Sequence, residues 1–274
     1  MSLESLLSET HNLPNIPKVV QELITNFNNP KVDAEDISKK IKMDQVISAK
    51  VMRLANSARF GAGRKIPSID SAVVMLGFDT LKTLVVASGV TGAFKDIPGF
   101  DKKKFWRDSF MTGSICRLIA KHTDVDGETA FTCGMLHNIG ELLMHIVHGE
   151  TASKIDGLVS SGANRVELQE NQYGYDYTQV SYELAKRWNF PDEILLGVRQ
   201  QHAPNDFETF SALAAIVHIA KYLNKAFNEG KDKEEILSHF PTNVAKPLKI
   251  DLVNFFEDLV ELANAEEDID SLLS

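Results

Sequence analysis

Thr132-Cys133-Gly134-Met135-Leu136-His137-Asn138-Ile139-Gly140-Glu141 sets a histidine and an amide inside a run of apolar residues. Gly140 follows, and its missing side chain lets a second backbone approach closely. An aspartate at position 138 would make two adjacent metal ligands; the residue is Asn138, a neutral and weaker one. On one continuous helix over 127–147, Phe131, Met135, Ile139, Leu142, Leu143 and Ile146 share a side, and His137, Glu141, His145 and His148 share the other. That polar stripe reads either as a solvent-facing surface or as the lining of a pocket. All four cannot hold one metal ion, because His137 and His148 would stand roughly 16 Å apart along the axis.

Other helical segments bring polar residues to inward faces. Asp108 shares a face with Met111 and Ile115, and Tyr177 with Val180, Leu184 and Trp188. Gln201 and His202 follow Ile194, Leu195 and Val198, while Lys221 follows Ala214 and Val217. Each of these could also cap a helix or snorkel to water.

Helical periodicity runs through the whole chain, with no convincing period-two alternation, so the fold class is all-α. Helix signals recur before residue 95: Pro17 at a first turn, Asp33, Asp44, Ser68 and Asp79 as N-caps, and Gly77 as a breaker. Phe60-Gly61-Ala62-Gly63-Arg64 lacks the preceding strand of a dinucleotide fingerprint and reads as a connection. Lys95 to Asp101 is the candidate boundary. It divides an N-terminal helical bundle, 13–95, from a second helical part, 100–274. Helices are expected there near 103–122, 127–147, 151–161, 164–171, 177–189, 191–202, 207–227, 232–239 and 251–264.

The 274 residues carry a net charge of −9 and no basic run, which weighs against nucleic acid as a partner. Two cysteines, Cys116 and Cys133, suit small buried hydrophobes in a reducing compartment rather than a disulfide framework. There is no apolar run of the ~20 residues a membrane span needs, and no signal-peptide pattern, so a cytoplasmic protein is expected.

Leu136-His137-Asn138-Ile139-Gly140 resembles the Leu-His-Asp-Ile-Gly signature of the HD phosphohydrolases, and the surrounding motifs are similar to the HDOD branch. These are Leu13-Pro14-Asn15-Ile16-Pro17, Arg53-Leu54-Ala55-Asn56-Ser57-Ala58, Ile69 to Gly77, Phe105-Trp106-Arg107-Asp108-Ser109 and Trp188 to Ile194. By motif order the resemblance covers about residues 13–225. It implies a helical bundle followed by an HD-like multi-helix core. It also implies that metal ligands of catalytic relatives fall at Asp108, His137, Asn138, Tyr177, Gln201, His202 and Lys221; of these only His137 and His202 keep the family's residue type.

Several ligands are thus replaced, one of them by a cation, and a bound divalent ion needs anionic or imidazole donors. The expectation is a non-catalytic bacterial signal-transduction module with no cofactor, binding a protein partner or a small ligand such as a nucleotide. The pocket candidates are Asp108, His137, Asn138, Glu141, Tyr177, Gln201, His202 and Lys221. Within that pocket Lys221 is expected to pair with Asp108, replacing the missing metal charge. The alternatives are a phosphohydrolase with unconventional ligands, His137, Glu141, His145 and Asp108, or a nucleotide sensor without turnover. Candidate partner patches are Phe60 to Lys65 and Leu252 to Leu262.

Overall fold

Short polar side chains fix most helix starts. Asp44 accepts hydrogen bonds from the backbone N–H groups of Val46 and Ile47, Ser68 from Ser71, Asp101 from Lys104 and Asp126 from Thr129. Asp176 and Gln179 form a reciprocal capping box, which places Tyr177 at the first helical position after the cap. A computed structural model describes residues 2–8, 14–26, 34–56, 65–250, 255 and 257–259. Among them the chain is all-α, without a strand.

The described helices before the Pro98-Gly99 turn are α1 (Leu3–Ser8), α2 (Lys18–Thr25), α3 (Ala34–Met43), α4 (Gln45–Ala55), α5 (Ile69–Leu76) and α6 (Phe78–Ala93). After it come α7 (Lys102–Ala120), α8 (Gly127–Leu136), α9 (Ile139–His148), α10 (Glu150–Ser160) and α11 (Arg165–Tyr173). Then follow α12 (Tyr177–Arg187), α13 (Asp192–Gln200), α14 (Ala212–Asn228), α15 (Lys233–Ser238) and α16 (Thr242–Ala245). No described helix is long and apolar enough to cross a membrane.

Helix α6 is buried on nearly all sides from Leu81 to Val90, which is why its sequence is apolar all round. It joins the two halves of the chain: α2 and α4 from the first half and α8 from the second all pack on it. Phe94, just beyond it, meets Trp106 and Trp188 at ring-centroid distances of 6.0 and 6.3 Å. One continuous apolar core therefore runs from Ile16 to Leu259, across the candidate boundary at 95–101.

Three expectations change. The helix expected over 127–147 is two helices, broken at His137-Asn138. Asn138 leaves helical geometry at φ −121°, ψ 14°, and the His137 carbonyl accepts side-chain donors from Gln201 and Ser181. Tertiary bonds thus take the carbonyl that would have continued the helix. Gly77, not Asp79, caps α6. The helix expected from 207 starts at Ala212, capped by Ser211. Asp33 and residues 57–64 lie outside the described residues, as does most of 251–264, so the cap and the two partner patches placed there are not described.

Candidate functional site

Helices α7, α8, α12, α13 and α14 converge on the His137-Asn138 break. Gly140 sets the closest approach: a Cβ there would meet the Tyr177 carbonyl oxygen and lie 2.7 Å from the Ser181 backbone nitrogen. The Gly140 N–H donates to Ser181 Oγ at 2.8 Å, which ties α9 to α12. The glycine expected to admit a second backbone does so.

A chain of hydrogen bonds crosses this junction. Lys221 Nζ donates to Tyr177 Oη at 2.5 Å, and Tyr177 Oη donates to Gln201 Oε1 at 3.5 Å, a long contact. Gln201 Nε2 donates in turn to the carbonyl oxygens of His137 (2.5 Å) and Val198 (2.8 Å). His137 Nδ1 lies 2.6 Å from the Gly134 carbonyl, so Nδ1 is the protonated nitrogen and Nε2 the bare one. Burial, reinforced by the Lys221 charge, pulls His137 down to about 3, so its ring is neutral at pH 7. Burial likewise pulls Lys221 down to about 8, against the opposing attraction of Glu141. Burial drives Tyr177 far above its ordinary value, so its hydroxyl keeps its proton. Asn138 accepts from Ser109 Oγ at 3.1 Å instead of capping α9.

In front of this chain opens a cleft of about 1140 Å³. Six of the eight candidate residues line it: Asp108, His137, Asn138, Gln201, His202 and Lys221. Tyr177 stands behind the wall as the partner of Lys221 and Gln201. Glu141 does not reach the cleft; its carboxylate lies 3.5 Å from Arg165. The expected ion pair between Asp108 and Lys221 is not formed. Asp108 Oδ1 accepts from Asn228 at 3.2 Å, burial raises its carboxyl, and Lys221 turns to Tyr177.

The cleft also contains residues that the sequence reading passed over: Lys104, His218, Asn224, Lys225 and Asn228. Four of these lie on α14 at three- and four-residue steps from Lys221, so the stripe was there to be found. His218 Nδ1 bonds the Gln201 carbonyl at 2.9 Å, and Asn224 bonds the Asp108 carbonyl and Thr112 Oγ1, both at 3.1 Å.

The alternative ligand set does not assemble either. His145 Nε2 lies 2.9 Å from Asp156, Glu141 faces Arg165, and Asp108 belongs to α14's side of the cleft. Among the described residues, no three His, Cys, Asp or Glu side chains gather around one point. The residues at the junction do not fit a divalent cation. Gln201 turns its NH₂ to carbonyls, Tyr177 is a neutral phenol, and an ammonium sits where positive charge would have to be added.

The comparisons with known proteins place the fold in a family. In a crystal structure, a Shewanella amazonensis SB2B protein whose name proposes a phosphohydrolase is 34% identical, with a TM-score of 0.86 and 98% of each chain covered. A Geobacter sulfurreducens HDOD domain protein of unknown function shares the fold at 22% identity and a TM-score of 0.80, over 97% of each chain. A Marinobacter aquaeolei VT8 protein whose name proposes signal transduction does so at 22% and 0.79, over 97% of this chain and 61% of that one. An uncharacterized protein of Treponema pallidum (strain Nichols) is 24% identical over 78% of this chain and 43% of its own length. Bacillus subtilis YuxH is 24% identical over 60% of this chain and 39% of its own. The chain thus spans about two fifths of the curated relatives it matches. The HDOD domain model covers residues 13–204, stopping short of Lys221, and the chain belongs to the HDOD domain family.

Proposed function

We propose that this chain is a non-catalytic signal-transduction module that binds a protein partner or a small ligand through the cleft at His137. The observation that carries this reading is the chain from Lys221 through Tyr177 and Gln201 to the His137 carbonyl. Four of the positions that the family resemblance assigns to metal ligands, Lys221, Tyr177, Gln201 and His137, hydrogen-bond in series, and the one formal charge among these four is positive. A metal-activated water would need the opposite arrangement, anionic donors around an open coordination position. The Marinobacter relative's name is consistent with a signalling role.

Of the two kinds of occupant, the cleft favours a small anionic ligand. Its volume is large enough for a nucleotide-sized molecule. Lys104, Lys221 and Lys225 line it against the two acids Asp108 and Glu229. His137 Nε2 and the exposed His202 add neutral acceptors or donors able to fix orientation.

The test uses chelator-treated protein titrated with manganese, nickel or iron, with hydrolysis of bis(p-nitrophenyl) phosphate measured in parallel. Weak metal binding with no turnover is expected, together with a thermal upshift from a nucleotide or cyclic dinucleotide that Lys221→Met diminishes. Stoichiometric metal binding accompanied by phosphodiesterase turnover would overturn the assignment.

A further inference from the structure

A second cavity lies away from the His137 cleft, between α4, α6 and α7. It encloses about 250 Å³, and its wall includes Lys50 and Arg53 from α4, Thr91 and Gly92 from α6, and Lys102 and Trp106 from α7. Its charge is one-sided. Lys50 and Arg53 have no acidic partner among the described residues, and Lys102 pairs only with the exposed Asp96 while donating to the Phe94 carbonyl. Burial, and after it the charges of Lys102 and Arg53, lower the Lys50 ammonium, so the three cations feel one another across this space.

Gly92 shapes the cavity wall: a Cβ there would lie 2.5 Å from Lys50 Nζ. The absent side chain is what allows the ammonium to lie against α6 rather than swing into solvent.

We propose that this cavity binds a compact phosphate group, free or carried on a small ester. Three cations match a dianion better than a single carboxylate. At about 250 Å³ the space falls below that of drug-sized pockets, so the base and sugar of a nucleotide would remain outside. Because α4 and α6 belong to the first half of the chain and α7 to the second, an occupant would bind the two halves together. The site stands independently of the reading given for the His137 cleft.

Calorimetric titration at low ionic strength, with inorganic phosphate in one arm and phenyl phosphate in the other, tests it. Saturable binding in either arm is expected, tighter with the ester if the natural occupant is an ester. Lys50→Met should weaken it about tenfold or more, as loss of a charge-assisted contact does. Gly92→Ala keeps every charge and favours the helix, yet should weaken binding about fivefold by occupying the ammonium's place. Lys154→Met, at an exposed position that lines neither cavity, should leave the affinity unchanged. No saturable binding up to about 10 mM would overturn the site. So would an affinity that ignores both Lys50→Met and Gly92→Ala, or one that falls with Lys154→Met.

Discussion

Two neighbouring polar clusters handle their charges in opposite ways. On one side, Asp156 bonds His145 at 2.9 Å and Arg165 at 2.7 Å, and Arg165 reaches Glu141 at 3.5 Å. Burial alone would raise the Asp156 carboxyl, but His145 and Arg165 outweigh it and hold it below its ordinary value. On the other side, Lys221 has a phenol for a partner and burial depresses its ammonium. The first cluster is self-sufficient; each charge has a counter-charge, and it reads as architecture. The second holds a cation with no carboxylate at ion-pair distance among the described residues, at the wall of a cleft. A perturbed charge at the wall of a cleft marks a candidate functional site.

The largest expected effect is on the contact both clusters depend on. Gly140→Ala would drive a methyl group into the Tyr177 carbonyl and break the Gly140–Ser181 bond. Backbone cannot yield as a flexible side chain does, so we expect a loss of about 3 kcal/mol in denaturant unfolding. A loss below about 1 kcal/mol would mean that α9 and α12 part easily and that neither cluster is held by this contact.

Arg165→Met breaks the balanced cluster alone. It leaves Glu141 on α9 and Asp156 on α10 without the guanidinium they share, while His145 stays bonded to Asp156. Fully buried pairs cost about 3–5 kcal/mol when one partner is removed. With Asp156 36% exposed, about 2 kcal/mol is the expected loss, recovered in part as pH falls and the Asp156 carboxyl takes up a proton. A neutral result would place this cluster with surface ion pairs and remove the contrast.

Much of this was legible in the sequence, and what was missed has physical causes. Periodicity and caps gave the all-α class and most helix positions, because those signals are local. The break at His137-Asn138 is not local. It depends on Gln201 and Ser181 reaching the His137 carbonyl from α13 and α12, which no window around residue 137 contains. The same break undid the polar stripe: His137 faces the cleft, while Glu141 and His145 join Asp156 and Arg165, which pattern alone did not connect to them. Six of eight candidate residues do line one cleft, since helical register fixes which face a residue takes. Side-chain pairing was less accessible. Asp108 and Lys221 both point inward, yet Asn228 and Tyr177 lie closer to each than they lie to one another.

The smallest expected change in stability is also the sharpest test of the comparison. Lys221→Met removes a cation that has no carboxylate at ion-pair distance among the described residues, together with one bond to a neutral phenol. The relief of burying a charge and the loss of a hydrogen bond oppose each other, so stability at pH 7 should move by less than about 1 kcal/mol. The pH dependence carries the distinction. In the folded parent Lys221 sheds its proton near pH 8, whereas the unfolded chain keeps it to its ordinary 10.5. Between those values the unfolded state holds more protons, so this group makes stability rise with pH, by at most about 1.4 kcal/mol per pH unit. The rise is clearest from pH 8 to 10, because above that the raised Tyr177 works in the opposite sense. In Lys221→Met the rise should vanish, and the His137 ring, relieved of a neighbouring charge, should titrate higher by NMR. A loss near 3 kcal/mol at pH 7 with the alkaline rise intact would instead give Lys221 a buried counter-ion and make the two clusters alike.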